Sequence, residues 1–230
     1  MATTLIPFKM EAEWVSLNSN KSTPAPPNIT ILSNDINSTV LKIEVSGFNM
    51  NPIISDNKSY NSVDLLSEIF TNNPGFPALP YIATTLIVPD QSGISVEVLE
   101  TGLVQSFKDI YLPPSRASWF EGKPETAFLE NEAAYKSSDV FPIEFASIES
   151  PSVFRDFRIA RLSVFPVRYN AESRELLVTT SITVRVNFTK GMAVNPKMTP
   201  KRAIAPSFGK LYRSFLSNYQ SVLNKEYNGV

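Results

Sequence analysis

The side chains that could do chemistry in this sequence are carboxylates, hydroxyls, lysines, arginines and tyrosines, because the chain contains no histidine and no cysteine. That removes the commonest general base, the commonest zinc ligand, thiol nucleophiles and disulfides together. The carboxylates include two close pairs, Glu11/Glu13 and Glu130/Glu132, and isolated residues such as Asp64, Asp90 and Asp109. Paired acids can act as acid and base or bind calcium. Neither pair has the arrangement of a calcium loop, and each alternates like the solvent face of an extended segment. Both pairs therefore read as solvated, and so do the single aspartates. There is no glycine-rich phosphate loop and no serine in a nucleophile elbow. The expectation is a protein that is not an enzyme and has no metal site and no cofactor.

One segment has the composition of a recognition element. Pro113-Pro114-Ser115-Arg116-Ala117-Ser118-Trp119-Phe120-Glu121-Gly122-Lys123-Pro124 is a long, proline-stiffened, partly apolar loop that carries two cations. Long loops in compact domains are often functional. Here the prolines hold the base, aromatic side chains anchor the loop, and Arg116 or Lys123 is offered to a partner; a solvated loop with ordinary surface charge is the alternative. Trp14, Trp119 and Phe120 could also stack on sugar rings, although such rings more often pack in a core.

These residues need a scaffold, and the composition points to strands. Eighteen prolines, eight glycines and many Asn and Ser residues separate short apolar runs, the pattern of an all-β domain with proline-shaped loops. Leu41, Ile43 and Val45 alternate with polar residues, as do Ile94, Val96 and Val98. Leu176, Val178, Ile182, Val184, Val186 and Phe188 alternate in the same way and predict one long strand. Arg161 to Tyr169 is β-branched and aromatic, and Asn170-Ala171-Glu172-Ser173 is a good turn, so the two segments read as a hairpin. Pro166 in its first arm predicts an edge or a bulge. Further strands are expected at Ile29 to Leu32, Tyr81 to Val88, Gly102 to Tyr111 and Phe141 to Glu149. Around Ser62 to Phe70 a short helix capped by Ser62 competes with extended structure.

From Thr189 the pattern changes. Lys190 to Pro206 is basic, proline-dotted and unpatterned, as a linker or a loosely held strap would be. Phe208, Leu211, Tyr212, Phe215, Leu216 and Tyr219 then fall at helical spacing, with Ser207 placed as N-cap. This predicts a β domain over residues 1–189, then a linker and helix over 190–230. The helix stripe can dock either on its own sheets or on a following domain.

Lys plus Arg (21) nearly balances Asp plus Glu (22), which gives no field that would favour nucleic acid. No run approaches the roughly 18 apolar residues needed to span a bilayer. Met1 to Met10 lacks the plan of a signal peptide, so a secreted precursor would carry its signal upstream.

Several segments, in order along the chain, resemble the N-terminal propeptides of gingipain-like secreted cysteine peptidases. Pro74-Gly75-Phe76-Pro77-Ala78-Leu79-Pro80-Tyr81, followed by Leu86-Ile87-Val88-Pro89, is similar to that family's glycine-x-proline-x-leucine-proline signature and the strand after it. Leu112-Pro113-Pro114-Ser115, and then Tyr135 through Phe141-Pro142, resemble its proline-started loop and return. The most specific likeness is Val153-Phe154-Arg155-Asp156-Phe157-Arg158 with Phe165-Pro166-Val167-Arg168-Tyr169-Asn170 and Glu175-Leu176-Leu177-Val178. Phe208 to Tyr219 resembles the helix that bridges propeptide and catalytic domain.

The resemblance implies a jelly-roll-like antiparallel sandwich, exported by a Gram-negative bacterium through the outer-membrane route of that family (type IX secretion). It implies a caspase-like catalytic domain of the same precursor as partner, held latent and helped to fold. The long loop, with Ser115, Arg116, Ala117, Trp119 and Lys123, would enter the peptidase cleft, with Arg116 in the specificity pocket and Lys123 as the reserve. It also tilts the helix stripe, Phe208, Leu211, Tyr212, Phe215, Leu216 and Tyr219, towards that partner. Asn228-Gly229-Val230 offers no basic residue for self-cleavage by an Arg- or Lys-specific enzyme. A non-enzymatic glycan- or surface-binding module is the alternative function.

Overall fold

A computed structural model describes residues 12–18, 23–67, 69–117, 128–191, 193–198 and 204–227. The fold is antiparallel β throughout its paired strands, with short helices near the C-terminal end. One sheet contains β1 (Glu13–Ser16), β4 (Gly47–Ser55) and β5 (Lys58–Asp64). A second runs β2 (Asn28–Asn34), β3 (Ser38–Glu44), β15 (Ser181–Lys190), β7 (Ser92–Thr101). The third holds β10 (Ala146–Ile148), β12 (Phe157–Val164) and β11 (Ser152–Phe154), with β6 (Ile82–Ile87) also on β12. The fourth runs β8 (Val104–Phe107), β14 (Glu175–Thr179), β13 (Val167–Asn170), β9 (Val140–Phe141). All four feed one apolar core, which includes Phe48, Leu41, Val184, Leu86, Leu162 and Val178. With no disulfide available, this shared burial supplies the main driving force.

The strand expected over 175–188 is two strands in different sheets. At Thr180 the chain crosses over: Thr179 N donates to Pro166 O, Thr180 N to Leu103 O, and Thr180 O accepts from Val45 N. Leu176 and Val178 before the crossing, and Ile182, Val184 and Val186 after it, are all buried in the same core. The alternation therefore stays in phase through the change of sheet, as at the corners where strands of packed sheets swap layers. The hairpin arm Arg161 to Tyr169 divides in the same way. β12 ends at Val164, and only β13, beyond Pro166, pairs with β14. Pro166 lacks the N–H that a continuing ladder would need and marks a change of sheet, not an edge or a bulge.

The strand expected over Phe141 to Glu149 is split into β9 and β10, and that over Gly102 to Tyr111 is confined to β8 because Asp109 turns the chain at φ 59°. Ser62 lies in β5 and caps no helix; Leu66, at φ 59°, reverses the chain instead. β4 was not expected, since Asn49, Asn51 and Pro52 are poor strand formers. Seven of its residues pair with β5 and four with β1. Trp14 on β1 covers Gly47 so closely that a Cβ there would lie 2.4 Å from the indole ring.

The described residues just beyond β15, Val194 to Lys197, are fastened rather than loose. Arg158, fully buried on β12, spends its guanidinium on four backbone carbonyls. Nη1 donates to Pro89 O at 2.7 Å and Ser92 O at 2.9 Å, Nη2 to Val194 O at 2.7 Å, and Nε to Asn195 O at 3.1 Å. Burial draws its pKa below the ordinary arginine value, against the pull of the Asp90 carboxylate. Lys197, also buried, donates its N–H to Asp90 O and lies 3.5 Å from the Asp90 carboxylate.

The single C-terminal helix expected is two: α2 (Pro206–Phe215) and α3 (Tyr219–Tyr227). α2 starts at Pro206, with Ala205 at the cap position making no side-chain bond, so Ser207 lies inside the first turn and is not the N-cap. Proline at the first helical position needs no donor and presets φ. Between the helices the chain joins the free edge of β6. Leu216 pairs with Thr85, Ser217 N donates to Thr85 O at 3.0 Å, and the buried Asn218 amide exchanges both hydrogen bonds with Ile87, at 2.7 and 2.8 Å.

Replacing Arg158 with Met should leave these carbonyls without donors and lower stability by about 3 kcal/mol or more. Urea denaturation measures this; a midpoint equal to the parent's would show the clamp to be dispensable.

Candidate functional site

The recognition segment leaves the body through a built stem. On the outgoing side Ser115 N donates to Phe76 O at 2.7 Å, Ser115 O accepts from Gly75 N at 2.9 Å, and the Ser115 hydroxyl donates to Thr71 O at 2.6 Å. Ala78 N reaches Pro113 O at 2.8 Å. On the return side Asn131 N donates to Gly75 O at 2.9 Å. Gly75 thus ties both arms, at φ +83°, a conformation that favours glycine. A Cβ would also press on Asn131 at 3.1 Å. Asn131 caps the short α1 (Glu132–Tyr135) by accepting from Ala134 N.

An aromatic cluster fills the space behind the stem. Tyr60 stacks on Tyr111 with centroids 5.2 Å apart, and Phe128 stands edge-on to Tyr60 at 5.5 Å. Tyr135 meets Tyr111 at 5.7 Å and donates its hydroxyl to Leu112 O. Glu130 sits in this cluster, accepting from Tyr60 Oη at 2.8 Å and Lys58 Nζ at 3.0 Å. Glu130 is therefore a half-buried carboxylate held by Tyr60 and Lys58 and not the solvated one its spacing suggested. Burial opposes its ionisation, but the bonds from Tyr60, Lys58 and Tyr111 outweigh that and hold its pKa below the ordinary value. Burial and the same carboxylate push the Tyr111 hydroxyl up to about 12, and that of Tyr60 further.

The named loop residues fall at distinct places. Ser115 is buried in the stem; Arg116 and Ala117 are exposed just beyond it. The Arg116 guanidinium lies 4.4 Å over the Phe128 ring, so the outgoing arm rests on the returning one. Trp119, Phe120 and Lys123 lie outside the described residues, as does Glu11. Of the helix stripe, Tyr212, Leu216 and Tyr219 are buried with Ile87 and Phe157 in a second apolar cluster on the chain's own sheet. Phe208 and Phe215 are half-buried at its border, and Leu211 is 43% exposed. Gly75, Tyr60, Tyr111 and Glu130 were not singled out as site residues from sequence, because they come together only through the fold.

The Propeptide_C25 family model matches residues 19–222. The chain belongs to that family. As a Propeptide_C25 member it is a non-catalytic propeptide domain. It is 27% identical to gingipain R2 of Porphyromonas gingivalis over 149 residues, 64% of this chain, and 26% identical to gingipain R1 over 147 residues. The chain spans 20% of the length of that gingipain R2. Two solved structures share the propeptide's fold at 20% sequence identity. The complex of the P. gingivalis RgpB pro- and mature domains superposes with a TM-score of 0.73, covering 84% of this chain and 97% of that one. A structure addressing zymogenic latency of gingipain K from P. gingivalis gives 0.68, covering 79% and 100%. These relatives group the chain with secreted or cell-surface bacterial proteins.

The stem should be pH-sensitive at both ends of the scale. A carboxyl whose folded pKa is depressed contributes stability above its unfolded value, ~4.3, and loses it as pH falls through the folded one. A tyrosine whose folded pKa is raised contributes below ~10 and loses that as pH rises. Melting temperature recorded from about pH 3 to about pH 7 should rise less steeply in Glu130→Gln than in the parent. Identical slopes would place the acid sensitivity elsewhere.

Proposed function

We propose that the chain keeps a cysteine peptidase domain of its own precursor latent, by presenting the loop between Ser115 and Phe128 to the active-site cleft, and that it assists that domain's folding. Family membership supports the reading, and the stem carries it: an otherwise β-packed protein commits hydrogen bonds from both arms and four aromatic rings to the exit of a single long loop. Holding the stem rigid lowers the entropy lost when the loop docks.

In this reading the partner has a caspase-like fold, and a basic residue fills its specificity pocket. Arg116 is the first choice and Lys123 the reserve. A guanidinium desolvated opposite a carboxylate forms bidentate, charge-assisted bonds. Stacking on Phe128 keeps the Arg116 head oriented before docking, and leaving an exposed ring costs only about 0.5–1 kcal/mol. The outward edge of α2, with Leu211, offers the same partner an apolar contact. Export follows the type IX outer-membrane route.

The purified chain should inhibit the mature peptidase of its own precursor at nanomolar level. Arg116→Ala, or failing that Lys123→Ala, should weaken inhibition by about 100-fold. Steady-state inhibition kinetics decide this; parental inhibition by both variants would show that neither cation enters the cleft.

A further inference from the structure

Leu129 on the returning arm of the loop is 73% exposed, yet the residues on both sides of it are fixed. Before it, Phe128 stands edge-on to Tyr60 and carries the Arg116 guanidinium over its ring. After it, Glu130 is bonded to Tyr60 and Lys58, and Asn131 N donates to Gly75 O. The Leu129 carbonyl itself passes so close to Gly75 that a Cβ there would lie 3.2 Å from the oxygen. The backbone around Leu129 is therefore held, and its side chain stays at the surface.

Single exposed leucines are ordinary. Leu129 differs because it walls a cavity of about 240 Å³ at the root of the loop, together with Pro74, Gly75 and Ala117. Ser115, Glu130 and Asn131 complete the wall, but each is already engaged in the stem. The Ser115 hydroxyl donates to Thr71 O, Glu130 accepts from Tyr60 and Lys58, and the Asn131 side chain accepts from Ala134 N. What remains on offer to a newcomer is mainly carbon. An apolar cavity of ~150 Å³ holds a benzene ring, so the space suits one aliphatic or aromatic side chain.

We propose that Leu129 and this cavity form an apolar seat for a side chain, aliphatic or aromatic, at the rim of the peptidase cleft. The inference rests on the function proposed above and adds a contact to that interface. Continuity argues for the peptidase as the occupant. Ser115 and Ala117, the two neighbours of Arg116, both line the cavity, and consecutive Cα atoms are only ~3.8 Å apart. A specificity pocket that receives Arg116 must therefore bring its rim to within a residue of the seat. The contact also has a physical use at this point. An ion pair open to water contributes little, whereas one ringed by apolar contacts that exclude water contributes far more. Leu129 would shield the bonds of the Arg116 guanidinium in this way.

The test is steady-state inhibition of the mature peptidase of the same precursor by the intact chain. Leu129→Ala should weaken inhibition about 10-fold. Leu129→Met, which keeps an apolar side chain of similar volume, should restore most of that loss. Melting temperatures within about 3 °C of the parent's would show that the stem is intact in both. Parental inhibition by Leu129→Ala would overturn the seat and leave the latency reading standing. A lower melting temperature in Trp119→Ala or Phe120→Ala would assign the cavity to a ring of the chain's own loop, and would overturn the seat as well. A parent chain that does not inhibit the peptidase would overturn both readings.

Discussion

A buried guanidinium hydrogen-bonded to backbone carbonyls decides where this chain goes after its last strand. Arg158 is completely buried, yet it satisfies itself on four carbonyls from the loop after β6 and from the strap after β15. Taking a charge out of water is tolerable only when its donors find acceptors, and four of the five N–H groups here do so on carbonyls. The two segments therefore have to approach it together. Once the strap is pinned there, α2 is delivered to Phe157 and Tyr212 can reach Asp156. The Leu216–Asn218 connector then meets β6. The second apolar cluster thus follows from a polar device in the first body of sheets.

The loop stem solves a related problem with other means. A long loop without disulfides needs its ends fixed, and hydrogen bonds that converge on Gly75 from Ser115 and Asn131 do that. Behind them the Tyr60, Tyr111, Phe128 and Tyr135 rings exclude water from Glu130, which strengthens its bonds to Tyr60 and Lys58. These fixed parts set the loop's direction.

Strand character was legible from the two-residue period, and the loop from its prolines and length. The changes of sheet were not, because Leu176 and Val184 face the same core on either side of Thr180, and the period carries no mark of which ladder a strand joins. Tyrosines 60, 111 and 135 are scattered in sequence and converge on Glu130 only in three dimensions. The helix stripe was read with the correct spacing but as one helix, since the role of Asn218 depends on the free edge of β6, which no local pattern reveals. Ser207 looked like a cap because its residue type favours one; Pro206 takes the first helical position ahead of it.

The way Asn218 meets Ile87 bears on what happens when the tail departs. Its side-chain amide supplies one acceptor and one donor to a strand edge that has no further strand on that side among the described residues, standing in for a peptide group. An edge sealed by a side chain and three residues of connector is reversible in a way that a paired strand is not. A domain whose tail came away would bare amides on β6 that can pair with another chain. The same residues that close the domain would then set its shelf life, because loss of the tail opens a route to aggregation.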